Sequence, residues 1–124
     1  LLMEASPDIQ SGVLAAKNML SSSSLSAVFA TSDTLAIALL HAASELGISV
    51  PLELSVVGFG DIRISRYVTP PITTVHQPME DMGERAVQLL FERLTNPELE
   101  SRRVLLEPGL IMRGSTARHK DLKG

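Results

Sequence analysis

The sequence predicts an α/β fold, a parallel sheet flanked by helices, and three observations lead there. Leu54-Ser55-Val56-Val57 is a short apolar, β-branched run broken by Gly58-Phe59-Gly60-Asp61; a run of this length bounded by glycines reads as a strand buried on both faces. Ile72-Thr73-Thr74-Val75-His76 is a second extended run, set off by Pro70-Pro71, which disfavour helix before them. Between and around these runs, apolar residues recur at helical spacing. Helix, strand, helix, strand at this spacing implies right-handed crossovers and parallel pairing.

The elements follow in order. Ser6-Pro7-Asp8 has the chemistry of a helix start: serine caps free amides, proline suits the first helical position, and aspartate complements the dipole. Ile9, Val13, Ala16 and Leu20 then mark one helical stripe, closed by the polar run Ser21–Ser24. Ala27–Ala30 reads as a short buried strand. Thr31-Ser32-Asp33 caps a helix running to about Leu46, with Gly47 as a left-handed stop and Pro51 preventing resumption. That helix is apolar on more than one side, with Leu35, Leu39, Ala42 and Leu46 on one stripe and Ile37 and Leu40 on another, so it needs two partners. One is the sheet and the other is expected to be a second subunit, through Ile37, Leu40 and His41. Ile62–Tyr67 reads as irregular or a single turn. After Pro78, Met79–Leu94 is amphipathic, with Met79, Met82, Ala86, Leu89, Leu90 and Leu94 on one side, and Asn96-Pro97 ends it. Val104–Leu106 and Leu110–Met112 read as two short strands joined at Pro108-Gly109.

Ala27–Asp33, Ser55–Ile62, Tyr67–Pro78, Met82–Ala86 and Glu107–Thr116, in that order, resemble the LacI/GalR family of bacterial transcription regulators. The resemblance covers nearly the whole chain and corresponds to the C-terminal part of that family's effector-binding, periplasmic-binding-protein-like (type I) domain. It implies a two-lobed sensor that closes on a small molecule, sugar or nucleoside-like. Closure alters operator binding by a helix-turn-helix that has no counterpart here. A homodimer in the cytoplasm, with operator DNA reached only through that absent domain, is the implied setting. A periplasmic sugar-binding protein of an ABC transporter is the alternative. The chain opens on Leu1 instead of Met, which makes a fragment the expectation. The helix over residues 78–95 would pack on the absent first lobe, or find a substitute by folding back or by docking on another copy, and residues 117–124 are expected to be a disordered tail.

In open α/β sheets, ligands bind at the carboxyl ends of strands. That places Ser32, Asp33, Phe59, Gly60, Asp61 and Gln77 as candidate effector contacts. Each also has a plainer role. Ser32 stands where the family often has a ligand-contacting Asn, and is balanced between ligand contact and capping. Asp33 reads first as a helix cap, worth about 1 kcal/mol. Gly60 replaces the first of two acidic residues usual in the family, removing a carboxylate that would hold ligand hydroxyls; its own residue type suits a positive φ. Asp61 reads first as a turn residue bonding its own backbone. Gln77 is balanced between ligand and hinge. Pro7 stands near a family aromatic that stacks on ligand, but reads first as a helix starter. His76 reads as packed or exposed before it reads as a pH switch.

Composition narrows the function classes. A net charge of −3 gives no electrostatic reason to grip nucleic acid. The absence of cysteine excludes disulfides and zinc-thiolate sites and fits a reducing compartment. No apolar run is long enough to span a bilayer, so no membrane partner is expected. His41, His76 and His119 lack metal-ligand spacing, and no nucleophile-elbow, Walker or complete dinucleotide-binding pattern occurs. No catalytic residue, metal or cofactor is therefore expected. Arg102-Arg103 and the basic tail Arg118-His119-Lys120 with Lys123 read as solvated surface.

Overall fold

The computed structural model describes residues 1–118, and they fall into two compact units: residues 1–76 with the chain from Leu110 onward, and Gln77–Gly109. The expected tail lies mostly in residues 119–124, outside the described residues; of its first residues, Ala117 donates its backbone N–H to Ser55 Oγ at 3.2 Å.

In the first unit the order is α1 (Ile9–Ser22), β1 (Ala27–Phe29), α2 (Asp33–Glu45), β2 (Ser55–Gly60), a single 3-10 turn (Arg63–Arg66), and β3 (Thr73–His76). β4 (Gly109–Ile111) follows the second unit. The sheet order is β1-β2-β3-β4, and the first two pairings are parallel, Val28 opposite Val56 and Phe59 opposite Val75. The parallel α/β expectation is met. The expected strand at Val104–Leu106 does not form; of the two short runs only the second pairs, as Gly109–Ile111, because, among the described residues, the first has no strand beside it to complete a ladder.

Helix α1 begins two residues later than its sequence suggests. Asp8, not Ser6, is the N-cap, accepting the Ser11 N–H at 2.9 Å, and Pro7 precedes the helix. Its buried face is Gly12, Ala16, Met19 and Leu20, whereas Ile9 is exposed. Helix α2 is the hub. It packs on both β2 and α1. Ala36, Ala38, Leu39, Leu40, Ala42 and Ala43 are buried, Ile37 is half-buried and His41 exposed. Gly47 adopts φ +72°, the left-handed stop its residue type permits. A Cβ on Gly12 would lie 2.9 Å from Ala38 Cβ and 3.0 Å from Leu35 Cδ2, so glycine sets how closely α1 and α2 approach. Gly12→Ala is expected to destabilise by about 1–2 kcal/mol despite its better helix propensity, measured by urea unfolding.

β1 and β2 are less covered than their sequences imply. Val56 and Gly58 are buried, but Val57 and Phe59 are half-buried and Phe29 is 57% exposed. The expectation of burial on both faces fails because alternate residues of a strand point to opposite faces, and only those on α2's side are covered. β1 is an edge strand, and an apolar hollow of about 420 Å³ beside it is lined by residues including Met3, Met19, Val28 and Phe29.

The second unit is built around α3 (Met79–Thr95), slightly longer than expected. None of its residues is buried; Met79, Met82, Val87, Leu90, Phe91 and Leu94 are all exposed. Arg102 pairs with Glu92 across this unit. No helix of the described residues is long and apolar enough to cross a membrane.

Candidate effector-binding rim

The carboxyl ends of β1 and β2 carry the candidate residues of the first unit. After β1, Ser32 is the N-cap of α2, its Oγ accepting the Leu35 N–H at 3.2 Å. Asp33 does not cap. It is completely buried, and its two oxygens face away from its own helix backbone: Oδ1 accepts the Thr74 hydroxyl at 2.5 Å and Oδ2 accepts the Ile62 N–H at 2.8 Å. The first turn of a helix favours this negative charge. Asp33 thus bolts α2 to β3 and to the loop after β2. Both serine and aspartate are good caps, and local sequence does not decide between them; the 41-residue-distant Thr74 does.

Gly58 makes that bolt possible. A Cβ there would stand 2.2 Å from Asp33 Oδ1, with Ile72 Cγ2 and Ala36 Cβ at 3.2 and 3.3 Å. The carboxylate occupies the space a side chain would fill.

β2 then ends in two residues with positive φ, Gly60 at +122° and Asp61 at +53°. Glycine takes this conformation freely; aspartate is one of the few other types that tolerate it. The turn aims the Asp61 carboxylate back over the unit, where its side chain is 1% exposed. It does not bond its own backbone, as its residue type suggests. Instead Oδ1 accepts from Arg113 Nη2 at 2.5 Å, and Oδ2 lies 3.0 Å from Arg66 Nη2 and 3.1 Å from His76 Nδ1. Burial pushes this carboxyl up, but the hydrogen bond and charge of Arg113, with the hydrogen bonds of Arg66 and His76, outweigh it and hold it below the ordinary carboxylate range. Arg113 is in turn fixed by donating to Ile72 O at 2.9 Å and Ser65 Oγ at 3.2 Å. Sequence reasoning missed Arg113, Ser65 and Thr74 because partners of each are remote in the chain, and missed Arg66 because Asp61, five residues before it, read as bonding its own backbone. An arginine closing an otherwise apolar run, Leu110-Ile111-Met112-Arg113, was the available signal.

Ser115 closes the other end of the sheet. Its Oγ donates to Val56 O at 2.6 Å and accepts the Thr73 N–H at 2.8 Å, while its own carbonyl accepts the Val56 N–H at 2.8 Å. One buried serine splices β2 to β3 where their direct pairing has not yet begun.

What remains free at the rim is therefore specific. Ser32 is half-buried with a hydroxyl proton to donate, Phe59 and Gly60 are half-buried, and Asp33 and Asp61 have their oxygens committed inside the unit. Gln77 directly follows β3 and belongs to the second unit. No group of three or more His, Asp or Glu among the described residues could hold a metal ion.

A family model described as a periplasmic binding protein-like domain matches residues 2–116. A ribose operon repressor from Haemophilus influenzae is 37% identical over 115 residues, 92% of this chain and 35% of that protein. The HTH-type transcriptional repressor PurR from Salmonella paratyphi B is 40% identical over 109 residues, 87% of this chain and 32% of its own length. Among solved structures, a LacI family transcriptional regulator from Enterococcus faecium with bound ribose is 32% identical, with a TM-score of 0.89 over 97% of this chain and 44% of that one. The chain spans about a third of the length of these two repressors. A parallel sheet with its carboxyl rim at Ser32 and Phe59–Asp61, and these likenesses over nearly every described residue, place the chain in the periplasmic binding protein-like domain family, where it is similar to a segment of LacI family transcription regulators.

Proposed function

We propose that the chain senses a small molecule, of sugar or nucleoside-like class, for a LacI-type transcription regulator. One observation carries this reading: a named ribose operon repressor is 37% identical across 92% of the chain. Effector meets the rim of the first unit at Ser32, Phe59 and Gly60. Asp33 and Asp61 hold the rim's shape and do not touch the effector through their carboxylates. Gly60 has no carboxylate to offer sugar hydroxyls, so this wall contributes apolar surface, backbone groups and the Ser32 hydroxyl. Operator DNA is bound by a helix-turn-helix outside this chain, in a cytoplasmic homodimer. Ile37 and His41 face the second subunit, and Leu40 supports them from within. The apolar face of α3 seats on a part of the regulator outside this chain; each large apolar side chain so covered contributes about 1.5–3 kcal/mol. Effector acts by binding one hinge state more tightly than the other, which is the free energy available for changing DNA affinity. The repressor names favour this reading over a transporter's sugar-binding protein and over an enzyme.

The test uses the complete gene product and DNA from upstream of its own gene. Ribose, hexoses, disaccharides and nucleosides are screened by thermal shift and then by fluorescence anisotropy of the DNA. A ligand at a hundredfold excess over its Kd is expected to stabilise by about 2.7 kcal/mol and to change DNA affinity at least about fivefold. Stabilisation without any change in DNA affinity, or no stabilisation by any class, overturns the reading.

A further inference from the structure

The chain leaves the first unit after His76 and re-enters it at Leu110. The carboxylate of Asp61 touches both places. Oδ2 is 3.1 Å from the ring of His76, the last residue before the exit, and Oδ1 is 2.5 Å from the guanidinium of Arg113, just after the return. Arg66, from the 3-10 turn, shares Oδ2 at 3.0 Å. Arg113 extends the connection, donating from its other nitrogen to the Ile72 carbonyl at the start of β3. The whole cluster lies within the first unit. Asp61 itself is aimed by the paired positive φ values of Gly60 and Asp61, so its direction is set by the loop that ends β2.

From this geometry we infer that Asp61 is a positioning residue: it links the loop after β2 to both segments through which the chain crosses out of and back into the first unit. The two oxygens divide the work, one per crossing. A displacement of Phe59–Gly60 carries Asp61 with it, and Asp61 moves the exit and return segments together. The inference deepens the sensing reading and rests on it, because that reading puts effector at Phe59–Gly60.

Amide hydrogen exchange of the complete gene product, with ribose as the probe, tests it. In Asp61→Asn, exchange over residues 74–78 and 109–114 is expected to speed up about tenfold in both segments, with α2 unchanged. His76→Phe is expected to release only the exit segment and Arg113→Gln only the return segment, a division that a general loss of packing would not produce. Faster exchange in neither segment, or in one alone, for Asp61→Asn overturns the inference. If Asp61→Asn instead loses protection throughout α2, the two single-segment variants decide: each must release its own segment and spare the other. Ribose that slows exchange nowhere in the wild type counts against ribose sensing, while the variant comparison without ribose still decides the role of Asp61.

Discussion

Gly58→Ala is expected to be among the most damaging single-methyl additions in the first unit, lowering stability by about 3–5 kcal/mol. The added Cβ would stand 2.2 Å from Asp33 Oδ1, on a carboxylate that has nowhere to retreat. Moving the carboxylate breaks its bonds to Thr74 and Ile62 and leaves a buried charge poorly paired. Ile72 and Ala36, also within 3.3 Å of the new atom, block the other direction. For a unit of this size the loss corresponds to a fall in Tm of roughly 15 °C or more, read by circular dichroism on heating. A fall under about 4 °C, equivalent to less than about 1 kcal/mol, would mean that the sheet and α2 separate easily at this point, contrary to the packing described.

The second large effect belongs to Asp33. Asp33→Ala removes the acceptor for a buried hydroxyl and for a backbone N–H, each costing about 1–3 kcal/mol when left unpaired, and a total of about 3–4 kcal/mol is expected. Asp33→Asn is expected to stay under about 2 kcal/mol. Its carbonyl oxygen takes the Ile62 N–H, and its amide donates to the Thr74 hydroxyl oxygen. The size of the Ala effect, above the about 0.5–2 kcal/mol of a lost cap, separates this role from simple capping, for which Ser32 already serves. The two sites should also couple. In an Asp33→Ala background the space near position 58 opens, so Gly58→Ala should then cost at least about 1 kcal/mol less than in the wild type. Strict additivity in urea unfolding would show that the clash with Oδ1 is not the cause.

Much of the architecture was legible before any coordinates. The strands at Ser55–Gly60 and Thr73–His76, the helix from Asp33 and the stop at Gly47 are written in short-range patterns: β-branched runs, helical spacing, and a residue able to turn left-handed. The family resemblance was carried by the same strings. Harder to read were the groups whose partners are remote. Asp33 and Ser32 have equal capping chemistry, and only Thr74, on another strand, distinguishes them. Asp61 looked like a self-contained turn because its binder, Arg113, is 52 residues away. The apolar character of Phe29, Val57 and Phe59 was visible, but it specifies a surface to be covered without specifying what covers it. The same holds for α3, whose stripe was plain and whose residues remain exposed in the second unit.

The Ser115 splice has a consequence for biosynthesis. Val56 and Thr73 are made long before Ser115, yet Ser115 bonds to both, across 59 and 42 residues of chain. A nascent chain still on the ribosome can form α1, α2 and the direct pairs of β2 with β3, but the end of that seam at Val56 and Thr73 stays open until the carboxyl-terminal segment has emerged. Native contacts this distant along the chain are slow to form and leave apolar strand surface exposed meanwhile. Chains cut off before Gly114 should therefore be the ones that chaperones hold and proteases clear.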